Sequence, residues 1–138
     1  MDNQIKTAFA LEMSEAQSAY SNDDLAGAIA HLERAHILGQ RTFFKHWITH
    51  WWMLKIGLKN MDLREISGQC LRLIAVIPGY VFGWVPRGNT GGANVSPLSP
   101  MPLPDDLEEI LKGTSIKRDV LVRISIWLVV GILIFTIL

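Results

Sequence analysis

The sequence predicts an all-α protein with one membrane span, and three observations carry that prediction. Apolar residues recur at three- and four-residue spacing through roughly residues 4–77. A Gly/Pro-rich stretch then stops regular structure from Pro78 onward. Finally, from Val120 to Leu138 the one charged residue is Arg123, and a helix rising about 1.5 Å per residue comes close there to the ~30 Å of bilayer hydrocarbon. The expected architecture is two tetratricopeptide-like helical hairpins over 1–77, an extended wrapping segment over 78–104, a short acidic helix and linker over 105–117, and a transmembrane anchor over 118–138.

Composition narrows the function classes. The 138 residues suffice for one domain with its own core, and 13 basic against 13 acidic side chains give a formal charge of zero. No basic groove for nucleic acid is expected. The single cysteine, Cys70, excludes an internal disulfide and paired-thiolate zinc motifs, and reads as a small core residue.

In the first helix, about Gln4 to Tyr20, the residues Ile5, Ala8, Phe9, Glu12, Met13, Ala16 and Tyr20 share helical spacing. The stretch MDNQIKTAFALEMSEAQSAY lacks the basic start, continuous apolar core and small-residue cleavage site of a secretory signal, so none is expected. A second helix, Asp24 to Leu38, has Leu25, Ile29, Leu32 and Ala35 inward, with Asn22 or Asp23 as cap and Gly39 as its C-terminal stop. The third, Thr42 to about Leu58, has Phe44, Trp47, Trp51, Leu54 and Leu58 as its apolar stripe. The two-residue link between them forces an antiparallel pair. A fourth helix, about Leu63 to Ile77, completes the second hairpin. Ala16, Ala28, Leu32 and Ala35 sit at tetratricopeptide packing offsets, although the Trp-Leu-Gly portion and closing proline of that repeat are missing.

The stretch from His31 to Leu58 holds all four histidines. Glu33 and His36 lie three apart, and His46 and His50 four apart, so each pair occupies one helical face. Folding the hairpin about Gly39 lets the pairs converge, and three imidazoles with a carboxylate form a donor set for zinc, copper or iron. Glu12 or Glu15 supplies a further candidate ligand. Equally, His36 continues the heptad-like row of Leu25, Ile29 and Leu32, where a histidine is commonly a hydrogen-bonded core residue. A transition metal is the sole cofactor this sequence suggests.

Residues 78–104 read as a wrap over the helices, with Val81, Phe82, Trp84, Val95, Leu98, Met101 and Leu103 as apolar anchors. Gly88 to Asn94 is glycine-rich without the Gly-Lys-Ser/Thr of a phosphate loop, so nucleotide binding is not expected. Asn94-Val95-Ser96 fits a glycosylation acceptor, made irrelevant by the missing secretory signal. Asp105, Asp106, Glu108 and Glu109 open a short helix, Pro104 to Lys112, where the helix dipole favours acids.

The segments HLERAHILGQ, His46 with Thr49-His50, and VPRGNTGGANVSPLSPMPLPDDL resemble a short bacterial family known only as a domain of unknown function, DUF3703. The resemblance covers about Ile5 to Leu111. It implies a fold and a bacterial source, and no activity or catalytic residue. It also implies that the tail beyond Leu111 is an addition to the family pattern.

Lys117, Arg118 and Arg123 precede the apolar tail, so the positive-inside tendency places the folded part in the cytoplasm, on the bacterial inner membrane. Arg123 is expected to snorkel to the headgroups, Trp127 to sit shallow in the bilayer, and Gly131 to offer a smooth patch to another transmembrane helix. Trp47, Trp51, Trp52 and Trp84 are candidates for a partner interface. The leading functional expectation is a non-catalytic accessory subunit of a larger integral-membrane enzyme complex, its partners being other membrane subunits and the bilayer. The alternative is a metal-delivery or metal-sensing protein using Glu33, His36, His46 and His50.

Overall fold

A computed structural model describes residues 3–137 and is helical, with no strand among the described residues. The elements are α1 (Asn3–Ser21), α2 (Leu25–Gly39), α3 (Phe43–Lys59), α4 (Leu63–Phe82), α5 (Asp105–Ile110) and α6 (Ile116–Ile137). Helices α1 and α2 form one hairpin and α3 and α4 another, and α2 packs on α3 to join them.

Local chemistry sets the helix ends. Asp24, rather than Asn22 or Asp23, caps α2 by accepting from the Gly27 amide, and Asp62 caps α4 by accepting from Arg64 and Glu65. Gly39 acts by size and not by backbone conformation: a Cβ there would come within 2.7 Å of the Phe9 ring. The core joins Ile5, Phe9, Met13 and Ala16 of α1 to Ala28, Leu32 and Ala35 of α2, with Met53 and Ile56 of α3 and Leu107 and Leu111 around α5. Arg34 ties this layer together, donating to Glu12 of α1 and Asp106 of α5.

Three expectations about the helices are corrected. The apolar stripe assigned to α3 is turned outward except at Leu54: Phe44, Trp47 and Trp51 are 78%, 36% and 41% exposed, and Leu58 is exposed as well. Leu54 is buried as expected, together with His46, Thr49, His50 and Met53. Helix α4 does not stop at Ile77. It runs through Pro78 to Phe82 because Tyr80, beyond the proline, packs edge-on against Phe43 and holds the last turn, which ends at Gly83 with a left-handed φ of 71°. Cys70 is exposed rather than a core residue, since the inward side of α4 at that level belongs to Gln69.

The wrapping segment begins at Gly83, and its anchorage is also unlike the expectation. Val81, Phe82, Trp84 and Leu98 are exposed, and Val95, Met101 and Leu103 are only partly covered. Apart from Val85, what enters the interior is main chain and one amide side chain: Gly88, Asn89, Gly91 and Gly92 are buried. The Asn89 amide nitrogen donates to the carbonyls of Ser96 and Ser99, and its oxygen accepts from Gly91 N. Buried hydrogen bonds, more than apolar contact, hold this segment.

Helix α6 has no buried residue and a mean hydropathy of 2.6 over its most apolar stretch, long and apolar enough to span a membrane. Its root is fixed to the domain. Arg41 donates twice to Asp119, at 2.6 and 2.7 Å, and the Arg123 guanidinium stacks 3.8 Å from the Tyr80 ring centre. Trp127 is exposed, and Gly131 has open space around it.

Candidate metal centre

Three histidines from two helices meet at one point beneath the wrapping loop. His36 comes from the last turn of α2, and His46 and His50 from successive turns of α3, whose four-residue spacing stacks them on one face. Their candidate donor atoms all lie within 4.8 Å of one another, and all three side chains are buried. The His46 and His50 Nε2 atoms are 3.1 Å apart.

The surroundings set the tautomers. Gln69 Nε2 donates to Glu65 Oε1 at 2.7 Å and to the Gly91 carbonyl at 2.9 Å, so its Oε1 faces His50 as an acceptor. His50 therefore carries its proton on Nδ1, 2.7 Å from that oxygen, and Nε2 presents a lone pair. His36 Nδ1 likewise donates to the Asn89 carbonyl at 2.8 Å, leaving Nε2 as a lone pair with no partner. His46 Nδ1 has no partner either, so its proton can move between ring nitrogens at the expense of the His50 contact alone. Metal-bound histidines characteristically have the distal ring N–H held by a carbonyl or carboxylate. His36 and His50 have that arrangement.

Burial, followed for His46 and His50 by repulsion from neighbouring imidazoles, keeps the cluster uncharged. The His36 pKa is pushed down to about 4, chiefly by desolvation, and those of His46 and His50 lie well below the usual imidazole range. Neutral imidazole is the form that ligates a cation. Two buried nitrogens without hydrogen bonds cost about 1–3 kcal/mol each, a cost that a coordinated ion would remove.

The glycine-rich loop shapes this site. Gly91 has a φ of 80°, and a Cβ on it would stand 2.7 Å from the His36 ring, so the ring lies directly on the glycine backbone. A side chain on Gly88 would strike the Met101 carbonyl. The loop therefore clamps the histidine. Arg72 on α4 secures it from the other side, donating to the carbonyls of Gly92 and Val95.

Of the four expected ligands, the structure gathers His36, His46 and His50 and turns Glu33 elsewhere. Glu33 faces a neighbouring pocket with Glu65, and burial first, then the Glu65 charge, raises its pKa. Glu12 is engaged with His31 at 2.8 Å and Arg34 at 2.6 Å, and Glu15 lies on the surface. Of the interface candidates, Trp47 and Trp51 stack in parallel, 5.9 Å apart, and Trp84 stacks on Phe82. Trp52 instead covers the core beside Tyr20. Sequence reasoning missed Gln69, Glu65, Arg72 and the main-chain role of Asn89. The one available signal was the Gly-Asn-Thr-Gly-Gly run, which demanded a reason for tight backbone approach.

A cavity of about 260 Å³ adjoins the cluster, lined by the three histidines, Arg72, Asn89 and apolar residues including Val76, Trp84 and Leu98. No curated protein and no solved structure matches the chain. The family model described as a protein of unknown function, DUF3703, matches residues 3–111, which span α1 to α5 and contain the three histidines, Gln69 and the clamping loop but not α6. Matched over most of its length, the chain belongs to the DUF3703 family.

Proposed function

We propose that this protein is a membrane-tethered binder of a late first-row transition-metal ion, zinc or copper, serving metal delivery or sensing rather than catalysis. The observation that supports it most is the convergence of three neutral, buried imidazoles, two of them oriented by carbonyl acceptors. An all-imidazole set suits zinc and copper better than magnesium or calcium. Helix α6 is the tether, and Lys117, Arg118 and Arg123 at its start favour a cytoplasmic domain on a bacterial inner membrane. The test is the full chain purified in mild detergent and assayed by elemental analysis. About one equivalent of zinc or copper is expected, and none in a folded His36→Ala, His50→Ala variant. Metal-free protein that takes up neither ion on reconstitution would refute the reading.

A second reading, favoured by the outward aromatic face of α3, is an accessory subunit that binds other integral-membrane subunits through Trp47, Trp51 and α6. A helical-hairpin frame of tetratricopeptide type is a common presenter of such surfaces. Both roles fit one molecule. Stoichiometric co-purification of membrane subunits, lost on Trp47→Ser, Trp51→Ser substitution, would establish it.

A further inference from the structure

We infer that the ion held by the histidines takes a fourth, exchangeable ligand from the adjoining cavity, and that this ligand is a small organic monoanion with an apolar body. The inference rests on the metal reading above. Three side chains supply three donors, whereas a tetrahedral ion of this class takes four, and closed structural sites fill the fourth position from the protein. Among the described residues no further histidine, cysteine or carboxylate joins the cluster. The histidines instead form part of the wall of the 260 Å³ cavity.

The wall defines the ligand class. Ala75, Val76, Pro78, Val85, Pro97 and Leu98 are apolar, so the body of the ligand must be apolar too. Charge defines its head. Neutral imidazoles leave a divalent ion uncompensated; Arg72 on the same wall is offset only by Glu65, which with Glu33 lines a different pocket and does not reach the cluster. A monoanionic donor offsets that excess in a low-dielectric site. The volume, somewhat below the ~300–1,000 Å³ of pockets for drug-sized ligands, suits a single-ring molecule. The lip also favours an apolar visitor: Trp84 and Leu98 are exposed there, beside Gly83, which packs against Val120 at the root of α6.

The experiment uses the full chain in detergent, loaded with Co²⁺, whose visible absorption reports its ligand set. Benzoate is expected to change the cobalt spectrum saturably, and to bind at least ~10-fold more tightly than acetate because its ring is removed from water. Ala75→Phe, at an exposed position on the cavity wall, should keep the cobalt spectrum and abolish the benzoate response; Ala75→Leu serves if the larger side chain prevents cobalt uptake. Cobalt uptake with no response to benzoate, or with benzoate no tighter than acetate, or with a response undiminished by filling the cavity, overturns this inference and leaves the metal reading standing. Failure to take up cobalt, zinc or copper overturns both.

Discussion

The two faces of α3 contrast sharply. The inner face carries His46, Thr49 and His50, with Met53 one turn further on, and the outer face carries Phe44, Trp47 and Trp51. A helix on a water-soluble core normally has the reverse arrangement. Burying two imidazoles and a hydroxyl costs desolvation free energy unless they are partnered, and exposing a tryptophan pair forgoes the stabilisation that burial would give. On the inner face His50 donates to Gln69 and Thr49 to the His46 carbonyl, while His36 of α2, which meets that face, donates to the Asn89 carbonyl. His36 Nε2 and His46 Nδ1 have no hydrogen-bond partner. Under the proposed metal reading, those two atoms are the ones an ion would engage. On the outer face Trp47 and Trp51 stack on each other and stay exposed, the feature on which the proposed bilayer or protein contact rests.

That contrast can be broken from the inside first. Replacing His36 and His50 together by alanine should abolish metal binding, each ligand contributing more than about 100-fold in affinity, as titration by calorimetry would read. Acidification tests the same face without mutation. In the metal-free protein the His36 pKa is about 4 when folded and near 6.5 when unfolded, so below pH 6.5 the unfolded chain binds a proton that the folded chain refuses. Stability is therefore complete above that range and falls with pH, by roughly 3 kcal/mol between pH 6.5 and 4 from His36 alone, with His46 and His50 adding in the same direction. Urea unfolding at pH 7 and pH 4.5 measures it, and a pH-independent midpoint would contradict a neutral buried cluster.

Smaller effects sharpen the comparison. Gln69→Leu removes the acceptor that fixes the His50 tautomer and should weaken metal binding about 10–100-fold while helix content is retained. Gly91→Ala places a Cβ against the His36 ring in a left-handed conformation, and should cost about 1–3 kcal/mol of stability by denaturant titration. Trp47→Ser with Trp51→Ser should change stability by no more than ~0.5 kcal/mol per site and leave metal affinity unaltered, because neither ring touches the cluster. Its effect should appear in membrane association or in recovery of partner subunits. Loss of metal in that variant would show that the two faces are coupled.

Much of the frame was legible in the residues. The rows Ile5, Phe9, Met13 and Leu32, Ala35 recur at helical spacing and are buried as that spacing implies. His46 and His50 had to share a face once α3 was helical. The orientation of α3 was not legible, because its hydrophobic stripe was the stronger pattern and the inference from stripe to core assumes that water surrounds the rest. Pro78 misled in the same way. A local rule ended α4 there, and packing of Tyr80 on Phe43 and Arg123 carried it onward.

By itself the sequence determined what depends on near neighbours: four packing helices with their links, a short acidic helix, an apolar terminal helix, and a histidine pair one turn apart. These follow from backbone geometry and from spacings of a few residues. Tertiary structure alone decided which side of α3 faces inward and that Glu33 leaves the cluster, while His36 meets His46 and His50 as the hairpin spacing implied. It also decided the tautomers, through partners 53 residues away at Asn89 and 19 away at Gln69. The Asn89 contact forms when the loop closes over the helices and the Gln69 contact when α4 packs on α3, and together these set the ring protons of His36 and His50.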